Sequence, residues 1–264
     1  MKINNKISDL AKNCQWFEQV LYFEEVDSSN NLASSMSQYY PQGRIAFVAG
    51  TQKSGKGRLA NTWISPKGNI YLSILLGSHS IPQNLSILSM LPAVAIVEAL
   101  KIIGVISYIK WPNDIVIKDK NNKQLAYFGE YRKIGGVLAE TTFEVSGIKS
   151  AIIGIGINIV FNEQIAQSVA HAGFLEQIAK VDYFDVLSSI LLVIDSYLFN
   201  LEQKEKDIFN AYVTYCISLG RNVTFEHMGE KIMGRAIAIK PSGALIINNN
   251  GEDFLVNAKE VHFI

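Results

Sequence analysis

Gly50-Thr51-Gln52-Lys53-Ser54-Gly55-Lys56-Gly57 is the stretch on which the reading of the fold turns. It matches the phosphate loop G-x-x-x-x-G-K, then places Gly57 where serine or threonine would hold magnesium. A phosphate loop also opens a long helix, whereas Ser65-Pro66-Lys67-Gly68 breaks this chain soon afterwards. The phosphate-loop fold is therefore set aside. The chemistry survives: Gly55 and Gly57 let backbone N–H groups approach an anion, and Lys53, Lys56 and Arg58 bring cations to the same loop. In isolation a solvated basic turn is the simpler reading.

Working outward, Leu21–Val26, Arg44–Gly50 and Asn69–Leu76 read as strands around this loop. Asp27-Ser28-Ser29-Asn30 is turn-like, with Ser29 or Asn30 suited to cap the helix carrying Leu32, Ala33 and Met36. Residues up to about Gln19 suit one short helix. Leu85–Ile103 has helical length, with Pro92 expected at a kink or first turn. Ile115–Ile117, Ile134–Glu140 and Ile148–Asn158 read as further strands, and Lys118–Gln124 as a surface loop. Tyr183–Leu201 and Glu205–Leu219 carry helical periodicity.

Composition shifts near Gly220. Short strands follow at Asn222–Glu226, Ile232–Ile239, Ala244–Asn248, Phe254–Val256 and Val261–Phe263, separated by Met228-Gly229-Glu230, Pro241-Ser242-Gly243 and Asn250-Gly251. This suggests a small β-barrel over residues 220–264 behind a larger domain over residues 1–219.

The chain has 264 residues, 48% of them hydrophobic, enough for a substantial core. Acidic and basic residues balance at 24 each, which argues against a nucleic-acid footprint. Cys14 and Cys216 lie far apart, and the four histidines show no metal-ligand spacing. No apolar run is long enough for a signal peptide or a span; Leu187–Leu201 is short and interrupted by Asp195. A soluble cytoplasmic protein is expected.

Three further strings carry possible chemistry. In Lys110-Trp111-Pro112-Asn113-Asp114, proline fixes the turn and Asn-Asp offers an amide and a carboxylate to a metal-phosphate or a ribose; a plain turn beside a core tryptophan is the alternative. In Lys133-Ile134-Gly135-Gly136-Val137-Leu138-Ala139-Glu140 a lysine enters an apolar strand, either drawn inward or snorkelling from an edge. In Gly154-Ile155-Gly156-Ile157-Asn158 the strand glycines mark a close approach or a β-bulge.

Each motif is modest alone, but their order is specific. Asp27–Asn30, Gln52 with Gly55–Arg58 and Trp63, Ser65-Pro66-Lys67-Gly68-Asn69-Ile70-Tyr71-Leu72-Ser73, Lys110–Asp114, Lys133–Glu140 and Gly154–Asn158 succeed one another. The series resembles the catalytic domain of biotin protein ligases (biotin–[acetyl-CoA-carboxylase] ligases), strongly over Val26–Val160 and more loosely through the C-terminal strands. The contiguous Lys-Trp-Pro-Asn-Asp is its most specific element.

The resemblance implies an α+β fold: a class II synthetase-like mixed β-sheet with flanking helices, plus the small C-terminal β-barrel. It implies activation of biotin with ATP to biotinyl-5′-AMP, then transfer of biotin to a lysine of a biotin carboxyl carrier protein domain. Carried over, Ser28, Ser29 and Asn30 lie near the ureido ring and bicycle of biotin, and Gln52 matches a position that also contacts biotin. Lys56, Gly57 and Arg58 belong to a loop folding over biotin and its adenylate. Lys133 serves the carboxylate and α-phosphate, with Arg58 and Asp114 completing the catalytic set. Gly136, Gly154 and Gly156 line the pocket floor. Trp63, Lys110, Asn113 and Asn158 lie toward ATP, and Asp114 toward Mg2+ and the phosphates.

Elementary chemistry agrees: hydroxyls suit the ureido head, strand glycines a flat body, and lysine a carboxylate. Two departures stand out. The family loop reads Gly-Arg-Gly-Arg-Arg-Gly-Arg, whereas Leu59-Ala60-Asn61 replaces its second half and Lys56 replaces an arginine, losing a bidentate fork. A weaker grip on the adenylate is expected. The stretch Asn121–Tyr131 looks like an insertion.

Lipoate–protein ligases share the expected fold and chemistry, but their Arg-Arg-x-Ser-Gly-Gly-Gly motif is absent. A biotin-sensing DNA-binding regulator would need an N-terminal winged helix, for which the residues before Asp27 are too few, so no DNA partner is expected. A binding module without catalysis is the remaining rival. Family members are often dimers, which puts a homodimer among the expectations.

Overall fold

The computed structural model describes residues 2–119, 128–145, 147–257 and 261–264. Helix α1 (Lys2–Ser8) and a 3-10 turn (Asp9–Asn13) lead into strand β1 (Gln19–Val26). Then come α2 (Ser29–Met36), β2 (Gly43–Gln52), β3 (Ile70–Gly77), α3 (Ile87–Ile102), β4 (Tyr108–Lys110), β5 (Asp114–Lys118), β6 (Tyr131–Glu144) and β7 (Gly147–Ile157). Helices α4 (Glu163–Ser168), α5 (Tyr183–Phe199) and α6 (Leu201–Tyr215) follow. The C-terminal strands are β8 (Asn222–His227), β9 (Glu230–Ile239), β10 (Leu245–Asn249), β11 (Glu252–Val256) and β12 (His262–Phe263).

The main sheet runs β1-β2-β3-β7-β6-β5-β4. Only the β1–β2 pair is parallel; the other neighbours are antiparallel, so the expected mixed sheet with flanking helices is present. Residues of β3 and β7 are apolar on both faces because both are covered. Ile70, Leu72, Ile74, Ile153, Ile155 and Ile157 pack with α3 and α5 in the principal core, and Ile45, Phe47, Leu75 and Ile152 pack under α2 on the opposite face. Helix α3 is buried nearly all round, as its apolar sequence requires. Pro92 sits in its second turn, not at the start, so the backbone bond it removes lies inside a helix held by packing on every side.

Several local expectations shift. Ser28 caps α2 by accepting from the Asn31 N–H, while Ser29 and Asn30 fall inside the helix. The two C-terminal helices divide at Asn200, earlier than the periodicity suggests. Asp195 is buried in α5, where its carboxylate accepts the backbone N–H groups of Gln15, Trp16 and Phe17 at 2.8–2.9 Å, tying the N-terminal segment to the helix. Of the suspected insertion and surface loop, residues 120–127 lie outside the described residues.

The C-terminal strands form an antiparallel sheet, β11-β10-β9-β8-β12, with the expected hairpin turns at Met228-Gly229 and Asn250-Gly251, all four residues at positive φ. The expected small C-terminal β unit is thus present as a five-stranded antiparallel sheet, with β11 and β12 at its ends and no closed barrel among the described residues. Its inner residues Val223, Phe225, Ala236 and Leu245 join the principal core. No helix among the described residues is long and apolar enough to cross a membrane.

Candidate active site

Register places the site. Tyr71, Gly156, Gly136 and Asp114 fall in one row across β3, β7, β6 and β5, and Ser73, Gly154 and Leu138 in the next row on that face. Strand alternation would point Lys133 the opposite way from Gly136. A register shift between β5 and β6, where Ile115 pairs with Gly135 and Val116 with Lys133, restores it to the glycine face. A Cβ added at Gly136 would accordingly lie 3.6 Å from the Lys133 side chain.

Above this face lies a cavity of about 570 Å³. Ser28, Ser29, Asn30, Gln52, Lys56, Gly57, Arg58, Trp63, Lys110, Asn113, Asp114, Lys133, Gly136, Gly154, Gly156 and Asn158 all line it, so the structure brings together every site residue singled out from the sequence.

One end is a network of neutral groups. The Gln52 amide oxygen accepts from the Ser29 N–H and hydroxyl at 2.8 and 2.9 Å, and its amide nitrogen donates to the Ser65 hydroxyl at 2.9 Å. Ser73, fully buried, directs its hydroxyl toward Asn30 Oδ1 at 2.6 Å and Ser29 Oγ at 2.8 Å. Asn30 Nδ2 donates to Glu140 at 2.6 Å. Ser73 and Glu140 each end one of the strings quoted from the sequence but were given no site role there. Yet a lone serine inside the apolar run Ile70–Gly77, and a glutamate in phase with Gly136 and Leu138, are the signals that could have found them.

The opposite end is ionic. Lys133 Nζ lies 2.5 Å from the Asp114 carboxylate and 5.4 Å from the centre of the Trp63 ring. Burial alone would raise the Asp114 pKa, but the Lys133 and Lys110 charges outweigh it and hold the carboxyl below its ordinary range. Lys110 is buried, donates to the Val261 carbonyl at 2.7 Å and lies against the Phe128 and Phe263 rings. Trp111, joined to Pro112 by a cis peptide, donates its indole N–H to the Gly243 carbonyl at 2.9 Å, and Tyr212 caps the Pro112 carbonyl at 2.6 Å. One bond to the turn between β9 and β10 and one from α6 thus fix the Lys110–Asp114 turn.

Phe128, His171 and His262 also line the cavity, and no motif announced them. His171 stacks on Phe128 with ring centres 3.9 Å apart. Burial first, then the Lys133 charge, push its pKa down to about 4, so it is neutral near pH 7. Its carbonyl accepts the Lys133 N–H at 2.8 Å, pinning residues 171–173 along the start of β6.

The strand glycines mark close approaches rather than bulges, since β7 pairs in continuous register through 154 and 156. The approaching groups are this chain's own. A Cβ at Gly154 would overlap the Asn30 carboxamide, and one at Gly156 would come within 2.5–2.6 Å of the Trp63 indole.

The loop after β2 folds back on itself through the Lys56–Thr62 bridge and a Gly57 N–H to Asn61 carbonyl bond of 2.7 Å. It is tied to the floor by Lys56 to Glu140 at 3.3 Å and by Arg58 to the Asn113 amide oxygen at 2.9 Å. Asn113 in turn donates to the Val137 carbonyl. Leu59 and Ala60 both lie in the left-handed region, at φ 53 and 62. Ala60 thus holds, at a steric cost, the conformation that the glycine of the family loop would adopt freely.

No group of three or more metal-ligating side chains occurs among the described residues, and Asp114 is engaged by Lys133, so the residues do not build a cage for a resident ion. Two buried polar atoms of the cavity lining, Trp63 Nε1 and Asn158 Oδ1, have no hydrogen-bond partner among the described residues and offer a donor and an acceptor to a ligand.

Comparison with known proteins agrees with this geometry. The Bacillus subtilis bifunctional ligase/repressor BirA is 28% identical over 247 residues, covering 88% of this chain and 70% of that protein. The human biotin–protein ligase is 26% identical over 252 residues, covering 88% of this chain and 32% of that one. The biotin protein ligase of Aquifex aeolicus, solved in complex with biotin and ATP, superposes with a TM-score of 0.75 at 25% identity, over 94% of this chain and all of that one. Residues 22–158, half of the chain and the whole glycine-faced sheet from within β1 to the end of β7, match the model of one family, and the chain belongs to it: the biotin/lipoate A/B protein ligases.

Proposed function

We propose that this protein ligase condenses biotin with ATP to biotinyl-5′-AMP and then passes biotin to a lysine of a biotin carboxyl carrier protein domain in the cytoplasm. One observation carries the reading. A single cavity joins a neutral donor–acceptor end, a glycine floor and an ionic end, in the order of a ureido head, an apolar body and a carboxylate. The Aquifex aeolicus ligase, solved with biotin and ATP, has the same fold.

In the first step a biotin carboxylate oxygen attacks the α-phosphorus. The new O–P bond forms as the α–β bridge breaks and pyrophosphate leaves. Negative charge grows on the phosphate, and Lys133 and Arg58 are the cations placed to meet it. Asp114 fixes the Lys133 ammonium at 2.5 Å and so sets its direction before substrate arrives. Asn113 holds Arg58 over the same end. Trp63 and Asn158 are assigned to the adenylate through their unpaired N–H and amide oxygen. In the second step the carrier lysine amine attacks the acyl carbon, AMP leaves with the bonding pair, and the amine loses a proton. Magnesium would enter with ATP as part of the substrate, and Asp114, beside Lys133, is the carboxylate that would lie toward it.

Incubation with ATP, magnesium and either biotin or lipoate, followed by mass spectrometry of the adenylate and transfer of labelled acid to a carrier domain, tests this. Biotinyl-AMP and a biotinylated carrier are expected. Lipoyl-AMP instead, or tight biotin binding without any adenylate, would overturn the assignment.

A further inference from the structure

Glu140 closes the Lys133–Glu140 string, which the family resemblance includes without giving Glu140 a role, and it stands between the glycine-faced sheet and the loop after β2. Its Oε2 accepts from Asn30 Nδ2 at 2.6 Å, and its Oε1 faces Lys56 Nζ at 3.3 Å. The two sides differ in kind. Asn30 is buried, held by Ser73 and seated in the hollow left by Gly154, so it fixes one carboxylate oxygen against the sheet. Lys56 belongs to the cover loop, and both members of the ion pair are about two-fifths exposed. Lys133 lies seven residues earlier on the same strand, so β6 carries the reactive cation at one end and a loop contact at the other.

We propose that Glu140 is a positioning residue: through Lys56 it latches the 55–62 loop shut over the neutral end of the cavity, with Asn30 as its rigid footing. The naming of the trapped ligand as biotinyl-adenylate rests on the function proposed above; the latch itself does not. Glu140 makes no contact with reacting atoms in this scheme and acts by holding the cover.

Glu140→Gln separates its two contacts. The glutamine oxygen still accepts from Asn30, while the charge opposite Lys56 is gone. The ion pair is half-exposed, so its loss is expected to raise loop opening about two- to five-fold. In the ligand-free protein, amide hydrogen exchange across residues 55–62 should accelerate by that factor while β7 amides are unchanged. Exchange in the parent should quicken with salt, and exchange in Glu140→Gln should not. With ligand, release of the adenylate and the KM for the acid should rise by the same factor while kcat at saturation holds. Glu140→Asp, which keeps the charge, should recover part of the effect.

Lys56→Met closes the cycle, because its effect and that of Glu140→Gln must not add. Additive effects, unchanged loop exchange, or a loss confined to kcat would overturn the latch. The exchange measurement needs no ligand, so it can stand or fall separately from the identity of the acid.

Discussion

Replacing Gly154 by alanine probes the neutral end of the site with a single methyl. The backbone at 154 is ordinary strand, so no conformational penalty attaches to alanine there; the obstacle is the Asn30 carboxamide, whose carbon lies 2.9 Å from the added methyl. Asn30 must swing away, and two bonds go with it. The bond from Ser73 joins neutral groups and is worth about 0.5–1.5 kcal/mol, whereas the one to the Glu140 carboxylate is charge-assisted and worth about 1.5–3 kcal/mol. Together they set an expected destabilisation of about 2–4 kcal/mol, enough to lower Tm by roughly 5–15 °C in a chain of this size. Gly136→Ala is the matched control. Its methyl finds nothing nearer than 3.6 Å, so stability should hold or improve by about 0.4–1 kcal/mol through the unfolded chain. Urea titrations with an unchanged m-value, alongside calorimetric titration with biotin, measure both consequences. A Gly154→Ala protein as stable as Gly136→Ala and binding biotin normally would refute the reasoning, for it would mean that Asn30 is not held where the network requires.

Two further outcomes follow from the ionic end. Lys133→Ala is expected to lose about 100–1000-fold in pyrophosphate exchange, the worth of one preorganised cation, and near-normal exchange would sink its catalytic assignment. The same change strands the Asp114 carboxylate, so stability should fall too, and adding Asp114→Asn should restore stability but not exchange. For His171 the sign is set by its lowered pKa. The unfolded chain takes up a proton below 6.5, the folded one only near 4. The unfolded state therefore binds more protons across that window, and stability falls as pH drops through it. The loss is at most about 3 kcal/mol and less after solvent screening. His171→Gln should flatten the slope of unfolding free energy between those pH values, and an unchanged slope would place the titrating group elsewhere.

Element types and the identity of the site were largely legible in the sequence, because strand runs, glycines and the Lys-Trp-Pro-Asn-Asp string are local signals. What escaped is what depends on register and on long-range partners. Lys133 reads as either an inward or an edge lysine until the β5–β6 shift turns it onto the glycine face. Glu140 looks like a solvated strand end until Asn30 and Lys56 arrive from 110 and 84 residues away in sequence. His171 follows a short helix with no pattern of its own, and its neutrality comes from burial against Phe128 and then from the Lys133 charge. The C-terminal strands were legible in number and place from their turn signals, whereas their order in the sheet, β11-β10-β9-β8-β12, depends on long-range pairing.

The departures in the cover loop acquire a physical meaning once its backbone is seen. Leu59 and Ala60 in the left-handed region cost about 1–2 kcal/mol each. Against this stand the half-exposed Lys56–Glu140 pair, worth about 0.2–1 kcal/mol, and the Arg58–Asn113 bond, worth about 1.5–3 kcal/mol. The two sides are of similar size, so the closed loop sits near balance without ligand and a modest contact from the adenylate decides its position. A loop with glycine at position 60 would shed part of the strain in the closed form but would also gain freedom in the open one. The substitution that looks like a lost family feature therefore does not simply weaken the cover. It moves the balance toward dependence on ligand, with Glu140 and Asn113 among the groups by which the floor of the site holds the loop.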